Sequence, residues 1–313
     1  MVTDADTGLI LAIKPSHLRI IALYSRFKMK IKGTLIPIGG NEDKGIETSE
    51  IYTLEYITDG ILSRVVKESG GKEACIVVIP TASSIPDEVS DNYRTAFATL
   101  GCTDVHIMDI RKREQSHEPQ NIDLIRKANC VMFTGGDQSK ITKLIGGTEL
   151  HSILIERYHD DNLVIAGTSA GAMCMSAEMI TGGSSSEAFF KGAVGMSTGM
   201  GFAPDLIIDS HFIRRGRFGR LAEAVAKFPM LIGVGLAEDT GLVIKNGNEF
   251  EVIGSGMVIL FDPKKLKHNN EKILDPGTPM TLTNLKTHVL ANSDRFNIAK
   301  RKVKVLPMGA PFI

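Results

Sequence analysis

From Gly33 onward, short continuous apolar runs alternate along the chain with longer segments in which apolar residues recur every three or four positions. Short apolar runs without polar alternation are typical of strands buried on both faces, and the intervening period is that of amphipathic helices. The pattern predicts an α/β protein whose parallel sheet is covered on both faces. The predicted strands lie at 33–38, 74–80, 104–108, 130–134, 163–166, 205–209 and 231–236.

The segments between these strands predict helices at 48–68, 86–100 and 213–227, one that ends near residue 128, helical segments from the turn at 135–137 to about residue 159, and a methionine-rich helix after residue 171. The glycine- and serine-rich stretch 181–200 predicts a loop. From residue 241 the pattern changes to β-hairpins, with Asn246 and Gly247 as one turn. We expect a single domain over 31–313, preceded by an N-terminal extension, 1–30, without an assigned role.

Charge and cysteine content narrow the class of protein. The 36 basic and 36 acidic side chains balance, so no global field favours nucleic acid or an anionic membrane surface as a partner. No apolar run approaches the ~20 residues of a membrane-spanning helix. The cysteines have no C-x-x-C spacing, which favours buried, reduced thiols, a cytoplasmic protein and no structural metal site. They are Cys75, Cys102, Cys130 and Cys174.

The sequence Gly167-Thr-Ser-Ala-Gly171 has the G-x-S-x-G pattern and lies between a predicted strand and a helical segment. In that setting the flanking glycines allow a sharp reversal of the chain, and the serine hydroxyl is exposed at its tip. Ser169 is therefore a candidate nucleophile. An ordinary glycine-rich turn is the alternative interpretation.

A serine nucleophile needs a base, and the base needs an acceptor that orients it. His211 follows the predicted strand 205–209 and so falls at the carboxyl edge of the sheet, the edge at which Ser169 is expected. Glu238 and Asp239 follow the next predicted strand, and either could be the orienting acid. A capping or packing role is the alternative for His211.

The oxyanion of a tetrahedral intermediate requires backbone donors. The amide that follows the nucleophile, that of Ala170, is one candidate. The Gly135–Asp137 turn, at the end of the neighbouring strand, offers Gly136 and Asp137 as others. A simple tight turn is the alternative interpretation of that segment.

Shortly after His211, four arginines lie within the seven residues 214–220, which suggests bidentate recognition of carboxylates. A solvated basic helix face is the alternative. The four are Arg214, Arg215, Arg217 and Arg220.

Taken together, several motifs in this order resemble the cyanophycinases, in the serine peptidase family that also contains aspartyl dipeptidase, from about Lys32 to the C-terminus. They are Ile38-Gly-Gly-Asn-Glu-Asp-Lys44, Thr134-Gly-Gly-Asp-Gln138, Gly167-Thr-Ser-Ala-Gly-Ala172, the stretch Asp209–Arg220 and Gly235-Leu-Ala-Glu-Asp-Thr240. The resemblance implies a three-layer, flavodoxin-like fold similar to class I glutamine amidotransferases, no metal or organic cofactor, and a homodimer. It also implies hydrolysis of cyanophycin, a polyaspartate with arginine on its side-chain carboxyls, to β-aspartyl-arginine dipeptides.

Carried over residue by residue, the resemblance implies that Ser169 is the nucleophile, His211 the base and Glu238 its orienting acid. It implies substrate contacts at Gln138, Arg215, Arg217 and Arg220. Ser210 is a further predicted substrate-binding residue. The family often has glutamine at this position, directly before the histidine, so the exact peptide substrate stays open.

Two alternatives are an aspartyl or isoaspartyl dipeptidase and a catalytically idle binding protein on the same fold. Asp137 and Glu187 are only candidates for a contact with the substrate's guanidinium groups.

Overall fold

The computed structural model describes residues 31–46, 48–183 and 189–307, so the predicted extension 1–30 and Glu187 lie outside the described residues. The strands are β1 (Thr34–Ile38), β2 (Ile76–Ile79), β3 (Val105–Ile107), β4 (Cys130–Phe133), β5 (Val164–Thr168), β6 (Glu178–Gly182), β7 (Gly195–Thr198), β8 (Leu206–Asp209), β9 (Ile232–Leu236), β10 (Thr240–Lys245), β11 (Glu249–Gly254), β12 (Val258–Asp262), β13 (Lys286–Leu290), β14 (Arg295–Asn297) and β15 (Lys302–Lys304).

The α-helices are α1 (Tyr56–Asp59), α2 (Ile61–Glu68), α3 (Pro86–Thr99), α4 (Pro119–Lys127), α5 (Gln138–Leu144), α6 (Glu149–Asp160), α7 (Ala170–Met173) and α8 (Phe218–Lys227), with short 3₁₀ helices at Arg113–His117 and Pro263–Lys265. None of the helices in the described part of the chain is both long enough and apolar enough to span a membrane.

The main sheet of the described residues has nine strands in the order β15-β14-β11-β10-β1-β5-β4-β2-β3. Its half from β1 to β3 is parallel. The other half is antiparallel and consists of the C-terminal strands β10, β11, β14 and β15. The predicted α/β fold with a parallel sheet and a C-terminal hairpin extension is therefore confirmed.

Both faces of the parallel half are buried. Along β1, Leu35 packs into one hydrophobic cluster, while Ile36 and Ile38 pack into the other, on the opposite face. Helices α2 and α3 contribute to the second cluster, and α4, α5 and α6 contribute to the first. Because successive side chains of a strand point to opposite faces, this separation of neighbours confirms the three-layer arrangement.

The strands β8 and β9 are parallel to one another but belong to a second sheet, ordered β13-β12-β9-β8. The main sheet does not continue into them because the free side of β1 is occupied by the antiparallel strand β10, with Ile38 opposite Gly241. Hydrophobic periodicity predicted both strands but carries no information on which sheet they join.

Two predicted helices are shorter in the structure. The helix expected at 48–68 begins only at Tyr56 and is interrupted at Gly60, whose backbone is extended. The helix expected from 213 begins at Phe218, because residues 212–217 form a tight turn in which the Arg217 amide donates to the Phe212 carbonyl. That turn follows His211 directly and shapes the site described next.

Candidate active site

Ser169 lies at a sharp reversal between β5 and α7, at the carboxyl edge of the parallel strands. Its backbone has φ 50° and ψ −106°, a conformation that non-glycine residues rarely adopt. Such strain costs roughly 1–3 kcal/mol and persists only where the surroundings hold it. The Ser169 amide donates to the Ile38 carbonyl of β1 at 2.9 Å. The helix that follows has only four residues, so it is shorter than the sequence suggests.

The two glycines that flank Ser169 are required for space. A Cβ atom at Gly167 would lie 2.5 Å from the Gly171 carbonyl oxygen, and one at Gly171 would lie 2.3 Å from the Phe133 carbonyl oxygen. Both distances are far below a van der Waals contact. The elbow therefore packs backbone against backbone, as the G-x-S-x-G pattern predicts.

His211 and Glu238 follow β8 and β9 of the second sheet and form a hydrogen-bonded pair. The Nδ1 atom of His211 lies 3.0 Å from Oε1 of Glu238, and both side chains are largely buried. A carboxylate only accepts hydrogen bonds, so Nδ1 carries the proton and Nε2 is left with a free lone pair. This is the tautomer that a general base requires.

Ser169 and His211 are connected indirectly, through Ser210 and through the end of β1, and no hydrogen bond among the described residues joins the Ser169 hydroxyl to the imidazole. The hydroxyl oxygens of Ser169 and Ser210 are 3.5 Å apart. The consecutive carbonyls of Ile38, Gly39 and Gly40 accept the backbone amides of Ser169, His211 and Asp239, respectively. The three loops that carry the candidate residues are therefore all hydrogen-bonded to one short stretch of backbone.

The charge state of His211 suits a base. Burial lowers the pKa of its imidazole, and although the hydrogen bond to Glu238 raises it, the guanidinium groups of Arg215 and Arg217 add to the lowering. The net direction is below the ordinary histidine value. The imidazole is therefore neutral and able to accept a proton at neutral pH.

Glu238 and Asp239 occupy different environments, although they are adjacent in sequence. Glu238 accepts hydrogen bonds from His211 and, at 3.1 Å, from the Asn41 side-chain amide. The Asp239 carboxylate instead accepts the Asp43 amide at 3.1 Å. Burial raises the pKa of Asp239 to about 6. Of the two acids that the sequence leaves open, Glu238 is the one in contact with the imidazole.

The predicted oxyanion donors separate into two groups. No hydrogen bond within the described residues uses the amides of Gly136 and Ala170. The amide of Asp137, by contrast, donates to the Ala82 carbonyl at 3.0 Å, so its assignment as an oxyanion donor is wrong. The Asp137 side chain caps α5 by accepting the Ser139 amide. Gly136 and Ala170 remain candidates.

Two of the predicted substrate-binding arginines are engaged within the protein. Arg220 is 4% exposed, and its Nε and Nη2 atoms both donate to Asp209, which is fully buried. Arg217 donates to Asp209 at 3.2 Å and to the Ser210 carbonyl at 2.7 Å. The assignment of Arg220 to substrate binding is therefore corrected, because its guanidinium is buried in a bidentate ion pair. Both arginines hold the end of β8, directly before His211.

The pKa of Arg217 is lowered to about 10 by burial, and the charge of Arg220 adds to the lowering while Asp209 opposes it. Arg217 is thus cationic at neutral pH, and one carboxylate faces two guanidinium groups. Loss of either arginine would leave Asp209 with the other arginine as its ion-pair partner.

The remaining predicted substrate-binding residues differ in accessibility. Arg215 is exposed, as is its neighbour Arg214. Gln138 is 8% exposed, and its side-chain amide donates to the Ile180 carbonyl at 2.8 Å. Ser210 is 1% exposed, and its hydroxyl donates to the Met173 sulfur at 3.3 Å. Ser210 therefore contacts Ser169 and Met173. The exposed Arg214 and Arg215 form a basic rim.

We expect Arg220→Met to destabilise the protein by about 1–3 kcal/mol, because the buried Asp209 carboxylate loses two hydrogen bonds while its ion pair with Arg217 remains. Urea unfolding at neutral pH measures the change in the free energy of unfolding. The matched control is Arg94→Met, since Arg94 pairs with Asp91 on the surface of α3. The control should change stability by at most about 1 kcal/mol. Equal unfolding midpoints for the two variants would contradict a structural role for Arg220.

Several residues of the site have no individual role in the sequence analysis. Asn41 contacts Glu238, Asp209 binds two arginines, and Glu42 lies buried behind the elbow. Asn41 and Glu42 belong to the motif Ile38–Lys44, and Asp209 begins the motif that contains His211. These motifs mark the segments in which the three residues lie, but they do not show the role of any one of them.

Metal-ligating residue types also approach one another elsewhere. Potential ligand atoms of Cys75, Asp104 and His106 lie within 4.8 Å of one another, near the amino-terminal ends of β2 and β3. This is the edge of the sheet opposite Ser169. The four cysteines of the chain are buried and form no disulfides.

Comparison with known proteins identifies the family to which this chain belongs. Residues 49–252 match the profile of peptidase family S51. The chain belongs to peptidase family S51 and is a serine-type peptidase. Curated relatives are the cyanophycinases of Trichormus variabilis, 36% identical over 287 residues (92% of this chain and 93% of that protein), and of Geminocystis herdmanii, 34% identical over 270 residues (86% and 95%). The cyanophycinase of Synechococcus elongatus is 31% identical over 273 residues, covering 87% of this chain and 81% of that protein.

Among solved structures, a peptidase from an acI-B1 Actinobacterium superposes with a TM-score of 0.57 at 19% sequence identity, over 83% of this chain and 98% of that one. At this level of identity the likeness concerns the fold alone. It agrees with the flavodoxin-like, three-layer architecture.

Proposed function

We propose that the chain hydrolyses cyanophycin to β-aspartyl-arginine dipeptides, with Ser169, His211 and Glu238 as catalytic residues. The name shared by the curated relatives, at 31–36% identity over most of the chain, supports the substrate. The observation that carries the catalytic assignment is the 3.0 Å contact between His211 Nδ1 and Glu238, beside a serine in a strained elbow.

The reaction proceeds by acyl transfer. The Ser169 hydroxyl oxygen attacks the carbonyl carbon of the scissile peptide while its proton passes to Nε2 of His211. The carbon–nitrogen bond then breaks, and the leaving amine takes that proton from Nε2. A water molecule, deprotonated by the same nitrogen, hydrolyses the acyl-enzyme ester and restores the serine. Throughout, Glu238 holds the Nδ1 proton and stabilises the transient imidazolium.

The amides of Ala170 and Gly136 stabilise the oxyanion of the tetrahedral intermediate. Both lack an acceptor among the described residues, and the two segments are neighbours, since a Cβ at Gly135 would lie 3.6 Å from the Cβ of Ser169. A preorganised donor of this kind contributes roughly 10²–10³-fold to kcat.

The exposed basic rim supports a substrate with free carboxylates. Each arginyl unit of cyanophycin ends in such a group, and Arg215 and Arg214 present exposed guanidinium groups beside His211. Planar guanidinium groups bind carboxylates in a bidentate manner. Because Arg217 and Arg220 are engaged by Asp209, recognition relies on fewer arginines than the sequence suggests.

The test is to incubate the purified protein with cyanophycin and to identify the products by mass spectrometry. We expect β-aspartyl-arginine as the main product and little release from α-aspartyl dipeptides. Cleavage of the dipeptides but not of the polymer would reassign the chain to the aspartyl or isoaspartyl dipeptidases. No cleavage of any of these substrates would remove the proposal. A homodimer and a cytoplasmic location stay predictions from the sequence.

A further inference from the structure

The motif Ile38–Lys44 contains a buried carboxylate that the reaction described above does not use. Glu42 is 1% exposed. Its Oε1 atom accepts the Tyr93 hydroxyl at 2.5 Å and lies 2.9 Å from the Lys44 ammonium, and its Oε2 atom accepts the Thr168 hydroxyl at 2.5 Å. A buried carboxylate with three partners, each contributed by a different side chain, is a strongly constrained group.

Glu42 is ionised in this setting. Burial alone would raise the pKa of its carboxyl, but the charge of Lys44 and the hydrogen bonds from Thr168 and Tyr93 outweigh burial and bring the pKa below its ordinary value. The Lys44 ammonium also lies 5.2 Å from the centre of the Tyr93 ring. The partners thus form one connected cluster, in which the carboxylate is a permanent hydrogen-bond acceptor.

The position of this cluster connects it to the nucleophile. Thr168 directly precedes Ser169 and is the last residue of β5, where it pairs with Ile38. The elbow is therefore held from two sides by the same stretch of chain: the Ile38 carbonyl accepts the Ser169 amide, and Glu42 accepts the Thr168 hydroxyl. Tyr93 on α3 fixes the carboxylate in turn.

We propose that Glu42 is a positioning residue of the nucleophile, whose carboxylate holds Ser169 in its strained conformation through the hydroxyl of Thr168. Glu42 itself is buried behind the elbow and does not touch the substrate. The inference rests on the proposed function, because it assumes that Ser169 is the nucleophile. It adds a second, side-chain anchor to the backbone hydrogen bond at Ile38.

A positioning role has a kinetic signature. A displacement of about 1 Å of a reacting atom can cost roughly 10²-fold in rate. Substrate binding at the exposed rim does not depend on Thr168, so KM should stay unchanged. A purely structural role would instead lower stability, with no effect on kcat once the protein is folded.

The test compares Thr168→Val with Thr168→Ser. Valine has the shape of threonine without the donor, and serine keeps the donor. We expect Thr168→Val to lower kcat for cyanophycin about 10- to 100-fold at unchanged KM, and Thr168→Ser to restore most of that loss. The rate of covalent labelling of Ser169 by an organophosphonate, followed by intact mass, should fall and recover in parallel. Urea unfolding establishes that each variant is folded during the assay.

A second pair of variants reaches Glu42 from its other side. Tyr93→Phe removes one donor to the carboxylate and should also slow labelling. Its matched control is Tyr158→Phe, since Tyr158 is equally buried and its hydroxyl has no hydrogen-bond partner among the described residues. The control should be labelled at the wild-type rate.

The failures of the two proposals are distinguishable. An active wild type together with a folded Thr168→Val variant of equal kcat and equal labelling rate overturns the positioning role alone. A change confined to KM, or a Thr168→Ser variant as slow as Thr168→Val, overturns it as well. A Ser169→Ala variant that retains activity removes the nucleophile assignment, and the positioning role falls with it.

Discussion

Ser169→Ala is expected to abolish peptide hydrolysis while the protein stays folded. Removal of the nucleophile of a catalytic triad costs roughly 10⁶-fold in kcat, because the base and the acid have no function without it. The stability of the fold should change by only about 1 kcal/mol, since the hydroxyl makes one long hydrogen bond within the described part of the chain, at 3.5 Å to Ser210. Product formation from cyanophycin and a urea unfolding curve measure the two quantities.

The control for this variant is Ser152→Ala on α6, where the serine hydroxyl donates to the Thr148 carbonyl of its own helix. It should hydrolyse cyanophycin at the wild-type rate. A Ser169→Ala variant with more than about one tenth of wild-type activity would contradict the acyl-enzyme mechanism, since removing the nucleophile should cost far more.

Glu238→Gln and Asp239→Asn are expected to differ sharply, although the residues are adjacent. A glutamine can present its own N–H group to Nδ1 of His211, which favours the tautomer with the proton on Nε2 and removes the base. An acid-to-amide change of this kind costs roughly 10⁴-fold in kcat. Asp239→Asn leaves the pair of His211 and Glu238 intact, so its kcat should stay within about 10-fold of the wild type. The ratio of the two kcat values is the measurement, and a reversed order would make Asp239 the orienting acid.

Asp239→Asn also has an expected effect on stability with a defined pH window. Burial raises the pKa of Asp239 from 3.8 to about 6, so between these values the native state binds more protons than the unfolded state. The free energy of unfolding that Asp239 contributes therefore falls as the pH rises through this window. Asparagine lacks this titration. The variant should gain stability relative to the wild type between pH 4 and pH 7, and a constant difference across that range would contradict the raised pKa.

The tight turn at Ser169 could be predicted from the sequence because short-range patterns encode it. The glycines at 167 and 171 report a steric requirement within five residues, and the structure contains the close backbone contacts that they allow. The sequence also predicted that His211 lies near Ser169 by assigning both to one edge of one sheet, but the structure places β8 in the second sheet. The two segments are instead connected by their backbone hydrogen bonds to the end of β1. The turn at Ser169 needed only local spacing, whereas the approach of His211 depended on tertiary contacts.

The environments of the four arginines could not be predicted from local patterns. In the sequence the four arginines are equivalent members of one charged run, yet Arg220 is buried against Asp209 while Arg214 and Arg215 are exposed. The difference arises because the turn at 212–217 delays the start of α8 and directs Arg217 and Arg220 towards the end of β8. The oxyanion assignment of Asp137 failed for a similar reason, since the acceptor of its amide, Ala82, lies 55 positions away.

Local patterns in the chain thus settled the layered α/β fold and the tight turn that carries Ser169. They could do so because strand period, glycine spacing and turn chemistry are properties of neighbouring residues. The partner of each charged group was decided by packing between different segments of the chain. His211 is hydrogen-bonded to Glu238 rather than to Asp239, Asp209 accepts hydrogen bonds from two arginines, and Glu42 accepts the Thr168 hydroxyl. Burial makes an unpaired charge costly, so those partners are selected by the folded environment, which residue order does not record.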